Sequence, residues 1–249
     1  MMNIFKGILK GNSLKQINDQ QFNNNIWEKK ISKKIKLNKI KYQQIICSSP
    51  VSIMFSLLYL NKKVKILDFG AGDLDIYFQL NELIKRYKKL NNQSHKKFNV
   101  KLDLIELPKI LKIYKTFKFS KNFNCRILKE FKKSKYDIIN ISNSLHYVDK
   151  PKKFLKKISN TNSKFIVLNS TRIGEHKTFI SLQKYYEHSI PTWFFNLNEI
   201  IKCLRPKYEL IFYSDYLEKI FGKWSKLPMK NFPKKLRSEH CKTLIFKKI

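Results

Sequence analysis

From Val64 onward, apolar residues fall into short runs separated by lysine-rich stretches of helical period. The runs Val64–Leu67, Val100–Glu106, Asn124–Leu128, Tyr136–Ser142, Lys164–Ser170, Tyr208–Asp215 and Thr243–Lys247 predict seven strands. Between them, Leu74–Leu90, Lys109–Phe119, Pro151–Ile158 and Leu197–Leu204 predict helices, and the residues from Thr171 to Asn196 read as a long, loop-rich connection. Strands alternating with helices imply a parallel sheet covered on both faces, the doubly wound α/β class. The last two strands are separated by Tyr216–Cys241, which holds Pro228, Pro233 and no convincing crossover helix, so an antiparallel pairing is open to them. Up to about Leu60 the chain reads as helical, with Ile31, Ile35 and Leu37 recurring between lysines and Ser49-Pro50 resembling an N-cap with proline in the first turn. The expected division is a helical N-terminal extension, residues 1–60, and an α/β domain, residues 61–249.

The strongest local pattern is VKILDFGAGDLD, Val64–Asp75. A buried strand runs into Asp68, then Gly70 and Gly72, and a helix follows. Glycine there permits a tight turn and close approach of a ligand to the main chain. The N–H groups of the helix start face such a ligand. Glu106 stands at the end of the next strand, where a doubly wound fold places a carboxylate to accept hydrogen bonds from ribose hydroxyls.

Charge changes this picture less than its size promises. The 249 residues carry 52 Lys+Arg against 18 Asp+Glu, a formal net charge of +34, but 47 of those cations are Lys and 5 are Arg. Phosphate and base readers lean on the bidentate fork of Arg, and the lysines are spread along the chain. The charge attracts polyanions non-specifically and names no substrate. Acids are scarce enough to be informative: none lies between Lys29 and Leu67, then Asp68, Asp73, Asp75, Glu82, Asp103 and Glu106 follow closely. Four scattered cysteines without a C-x-x-C pair exclude a zinc ribbon and a thioredoxin motif, and no metal site is expected. The N-terminus lacks a signal-peptide core, and the apolar stretch Ile45–Leu60 falls short of the roughly 20 residues of a spanning helix, so a cytoplasmic protein is expected.

The segment Val64–Asp75 resembles motif I of the class I S-adenosylmethionine-dependent methyltransferases, an apolar strand followed by D/E-x-G-x-G-x-G. Asp68, Gly70 and Gly72 match, and Leu74 stands at the third glycine. Glu106 matches the strand-ending acid, and SNSLHYVDKP (Ser142–Pro151) resembles the stretch after the fourth strand. The resemblance implies a Rossmann-like seven-stranded methyltransferase sheet and S-adenosyl-L-methionine as cofactor. The implied contacts are Asp68, Gly70, Ala71, Gly72, Glu106, Asn143 and Ser144.

A narrower resemblance adds LIELP (Leu104–Pro108), Thr171-Arg172, Gln183 and Ser189-Ile190-Pro191-Thr192-Trp193. Together these are similar to a methyltransferase family associated with lipopolysaccharide and other surface-polysaccharide synthesis. It implies a saccharide or other small-molecule acceptor. A hydroxyl acceptor needs its proton removed, for which His146, His176 and His188 are candidates, and Arg172 suits an anionic acceptor. Two other readings stay open. One is an RNA-directed methyltransferase steered by the positive field. The other is a methyltransferase-fold binding protein without turnover, motivated by Leu74.

Overall fold

The computed structural model describes residues 4–9, 25–41, 50–51, 54–55, 63–92, 98–131, 134–185, 188–216, 218–220 and 223–249. Its elements in chain order are β1 (Phe5–Ile8), α1 (Asn25–Lys41), β2 (Lys63–Phe69), α2 (Asp75–Leu90), β3 (Asn99–Ile105), α3 (Pro108–Thr116) and β4 (Phe123–Leu128). These are followed by β5 (Ile138–Ser142), a 3-10 turn (Leu145–Tyr147), α4 (Pro151–Ser159), β6 (Phe165–Thr171), β7 (Ile173–Gly174), β8 (Phe179–Tyr185), β9 (His188–Asn196) and α5 (Leu197–Leu204). The chain continues through β10 (Tyr208–Tyr216), the short hairpin β11 (Glu218–Ile220) and β12 (Lys223–Ser225), a second 3-10 turn and β13 (Cys241–Lys248).

Seven strands form one sheet in the order β10-β13-β6-β5-β2-β3-β4. β2, β3 and β4 run parallel, and β13 is antiparallel to both β10 and β6. This is the doubly wound α/β sheet that the alternation of strands and helices predicts, closed by the antiparallel final pair.

Two differences from the sequence reading stand out. The residues after β6, expected as loop, hold β7, β8 and β9, with β8 and β9 forming a hairpin in a separate four-stranded sheet of order β1-β8-β9-β7. One face of this hairpin sets Ser181, Gln183 and Thr192 among the buried Phe179, Ile190 and Phe194, the other buries Ile180, and Pro191 interrupts β9, so the hydrophobic alternation that marks a half-buried strand is missing. Phe5–Ile8, inside the stretch read as helical, is a strand that adds to β8. The proposed cap at Ser49 lies outside the described residues.

Contact density divides the chain into two compact units, Asn23–Asn140 and the combination of Met1–Phe22 with Ile141–Ile249. In the first, Tyr77 sits at the centre of an edge-to-face cluster with Phe78, Phe117, Phe119 and Phe123, ring centroids 5.1–5.6 Å away, the geometry the ring quadrupoles favour. The fully buried Asp103 of β3 takes both bonds of the Arg126 guanidinium, at 2.7 and 2.6 Å, and the Tyr136 hydroxyl at 2.9 Å, so its charge is compensated on every side. In the second unit Phe5, Phe179, Phe194, Leu227, Met229, Phe232 and Cys241 form the core beneath the four-stranded sheet.

Candidate functional site

β2 delivers Asp68 to the carboxyl end of its strand, and the chain then bends sharply. The N–H groups of Gly70 and Ala71 both donate to the Ile105 carbonyl at the end of β3, at 2.9 and 3.2 Å, which pins the turn to the neighbouring strand. Gly70 has φ 71° and Gly72 φ 51°, left-handed conformations that glycine adopts without strain. Leu74 also has φ 60° and is fully buried. The position thus takes a left-handed backbone that glycine would adopt without strain. Its strain of about 1–2 kcal/mol is offset by the burial of the leucine side chain. Helix α2 starts at Asp75, one residue after this kink.

Glu106 is built into the same turn. One carboxylate oxygen accepts the Gly72 N–H at 2.8 Å and the other accepts the Leu107 N–H at 2.9 Å. From the other side the hydroxyl of Tyr114, fully buried on α3, donates to the Gly72 carbonyl at 2.5 Å. The Gly72 residue is therefore held by both its N–H and its C=O. Burial holds the Tyr114 phenol well above its ordinary value, so it remains a donor at any physiological pH. The Tyr114→Phe variant keeps the ring and loses this bond. A stability loss of about 1–2 kcal/mol with an unchanged urea m-value is expected. No loss at all would mean the hydroxyl does not hold the turn.

Acid crowds this corner. Asp68 is 2% exposed and accepts the Asn140 side-chain amide at 2.7 Å. Burial pushes its carboxyl up to about 7, with the charges of Asp75, Glu106 and Asp73 pushing the same way and the Asn140 bond only partly opposing. Burial also raises Glu106, against the two backbone bonds that favour its ionised form. Asp73 pairs with Lys34 at 3.1 Å, and Asp75 accepts from Gln79 at 2.6 Å. Such a concentration of carboxylates favours a cationic ligand.

Of the residues expected to contact a cofactor, Asp68, Gly70, Ala71, Gly72 and Glu106 are thus brought together at one turn. Asn143 and Ser144 follow β5 in the other unit. Asn143 takes φ 49° and donates its N–H to Asn169 at 2.9 Å, and the Ser144 carbonyl accepts from Tyr147 at 3.0 Å. Tyr114 and Asn140 were missed by sequence reasoning. Asn140 had a signal, a lone amide in the apolar run of β5, whereas Tyr114 had none.

The acceptor candidates fall in the same unit as Asn143. Arg172 is 1% exposed, and its guanidinium donates to Thr192, to Gln183 at 3.0 Å and to the Tyr147 hydroxyl at 3.2 Å. The Phe5 and Phe194 rings lie 5.0 and 5.7 Å from it. His146 is fully buried, and burial followed by the Arg172 charge holds its imidazole well below the ordinary range. His176 is buried with Nε2 3.0 Å from the Ser238 hydroxyl and Nδ1 3.0 Å from the Lys177 carbonyl oxygen. His188 opens β9 with its side chain exposed. Among the described residues, no cluster of His, Cys, Asp and Glu is arranged to hold a metal ion, and no helix is long and apolar enough to cross a membrane.

No family model and no curated protein matches this chain. Among solved structures, it is similar to an S-adenosylmethionine dependent methyltransferase from Mesorhizobium loti, with 10% identity, covering 79% of this chain and 96% of that one at a TM-score of 0.45. A Pyrococcus horikoshii OT3 protein matches at 9% identity over 84% of this chain and 98% of its own, TM-score 0.44. The [4+2]-cyclase SpnF matches at 12% identity over 66% and 58%, TM-score 0.37. At such scores none of them bears on the chemistry of this chain.

Proposed function

We propose that this chain is an S-adenosylmethionine-dependent methyltransferase whose cofactor binds at the Asp68–Leu74 turn. The observation that carries the reading is Glu106, a strand-ending carboxylate fixed against the glycine turn by the N–H groups of Gly72 and Leu107. A carboxylate has about four acceptor positions. Those not engaged by the backbone suit the two hydroxyls of a ribose. Open space at Gly72 supports the reading, since a Cβ placed there would meet nothing nearer than the Gly70 carbonyl oxygen at 3.8 Å. The turn's carboxylates suit the ligand's positive charge.

When bound, the cofactor supplies a methyl group activated by a sulfonium. The chain's own task is to orient and to exclude water. Gly70 and Gly72 admit the ligand to the backbone, Tyr114 keeps the turn in shape, and Glu106 and Asp68 hold the diol and the positive end. For the acceptor we infer a small polar molecule, an acidic or phosphorylated saccharide of surface-polysaccharide synthesis. Support comes from the narrower motif: its Arg172 and Gln183 are bonded to each other, and Thr192 joins them. Protonating His146 would place a second cation beside Arg172 in a buried setting. A neutral hydrogen-bonding role therefore suits it better than that of a base, and methylation on an acceptor oxygen that is already ionised releases no proton and needs none.

Calorimetric titration with S-adenosylmethionine tests the cofactor site. Micromolar binding is expected, and the Gly72→Trp variant, which fills the turn at a left-handed position, is expected to lose it. A folded wild-type protein that takes up no cofactor would overturn the reading.

A further inference from the structure

Buried hydrogen-bonding atoms in native proteins are nearly always satisfied, and each exception calls for an explanation. Around Arg172 there are three. Both ring nitrogens of His146 are buried and have no hydrogen-bond partner, and the same holds for the Ser181 hydroxyl. Ser181 lies on β8 directly opposite Thr192 of β9, on the face that also presents Gln183, and Thr192 and Gln183 are the groups that receive the Arg172 guanidinium. His146 belongs to the 3-10 turn whose Tyr147 hydroxyl bonds both Gln183, at 2.7 Å, and Arg172. The unsatisfied atoms therefore belong to the hairpin and the 3-10 turn that hold a single buried cation within one unit of the chain.

A neutral imidazole offers one N–H and one lone pair, and a serine hydroxyl offers a donor. Beside a guanidinium, this set asks for a small group with several oxygens, of which at least one carries a negative charge and one carries a hydrogen. We propose that His146, Ser181 and Arg172 form a binding site for a small oxyanion bearing a hydroxyl, the chemistry shared by a phosphate monoester and a hydroxy acid. The oxyanion accepts from Arg172, the Ser181 hydroxyl and the imidazole N–H, and its own O–H donates to the imidazole lone pair. The inference rests on the acceptor part of the reading above and deepens it. It is tested without the methyl donor, so the two can fail separately.

The test is thermal unfolding and calorimetry with inorganic phosphate, glycolate and acetate, each against chloride at equal ionic strength to remove the general attraction of a chain of charge +34. Phosphate or glycolate is expected to bind more tightly than acetate, and all three more tightly than chloride. Phosphate ahead of glycolate identifies a phosphoryl group, and the reverse order identifies a hydroxy acid. The Ser181→Ala variant removes one unsatisfied atom with almost no change in shape and is expected to fold. It should weaken the preferred anion by about 10- to 100-fold, the effect of one charge-assisted hydrogen bond. His146→Gln, which keeps one donor and one acceptor, should retain more affinity than His146→Ala. Binding no better than chloride, or equal binding to wild type and Ser181→Ala, would overturn the site and assign the anion to the lysine surface.

Discussion

Replacing Asp68 with Asn is expected to make the protein more stable and less able to bind its cofactor. The folded-state carboxyl is held up at about 7, against 3.8 for the free group. Over that window the folded protein keeps a proton that the unfolded chain has lost, so stability declines as pH rises from about 4 to about 7 and is flat above. A shift of three units corresponds to at most about 4 kcal/mol. Relaxation of the buried site reduces this, leaving on the order of 2–4 kcal/mol at pH 8. Asn cannot ionise and can still accept from Asn140. The variant should therefore match wild type near pH 4 and exceed it at pH 8 by roughly 5–10 °C in thermal midpoint. Its affinity for the cationic cofactor should fall about tenfold or more. Parallel pH dependence in the two proteins would show that Asp68 does not resist ionisation. A stability gain bought with lost binding is the mark of a group kept for function.

The second large effect is expected at Glu106. In Glu106→Gln one carboxylate oxygen becomes an NH2 group, which cannot accept from the backbone or from a ribose hydroxyl. Hydrogen bonds to a charged group contribute about 1.5–3 kcal/mol each. Losing one or two of them should weaken S-adenosylmethionine binding by about 100-fold. Calorimetry gives the affinity, and circular dichroism checks that the fold is intact. Unchanged affinity in a folded variant would mean that Glu106 serves the turn alone.

Where hydrophobic pattern and burial coincide, the sequence was a good guide to the fold. The strands β2, β3, β5 and β6 are apolar runs because both faces of a doubly wound sheet are covered, and helices α2, α4 and α5 show clear apolar faces. The β8–β9 hairpin escaped because one of its faces mixes the core residues Phe179, Ile190 and Phe194 with Ser181 and with the Arg172 partners Gln183 and Thr192, so no strict alternation shows in the sequence. The glycine turn and Glu106 were legible because backbone geometry and charge leave a trace in residue type. Tyr114 left none, since a buried tyrosine on an amphipathic helix looks the same whether its hydroxyl does anything or not. Leu74 departs from the motif in its letter and takes a φ of 60°, a backbone that glycine adopts more readily than leucine.

Arginine usage fits the same logic. In a chain that writes lysine freely, Arg126 forks onto Asp103, Arg237 donates to the carbonyls of Phe232 and Lys230, and Arg172 organises the hairpin. Each of these positions uses the planar, multi-donor head that lysine lacks.

Strand β1 has a consequence for how the molecule assembles. Phe5 pairs with Gln183, far along the chain, and sets its ring 5.0 Å from the Arg172 guanidinium. A contact of such sequence separation carries a large loop-closure entropy and is slow to form. During synthesis the first strand must wait until β8 has emerged, leaving an apolar segment without its partner while most of the chain is made.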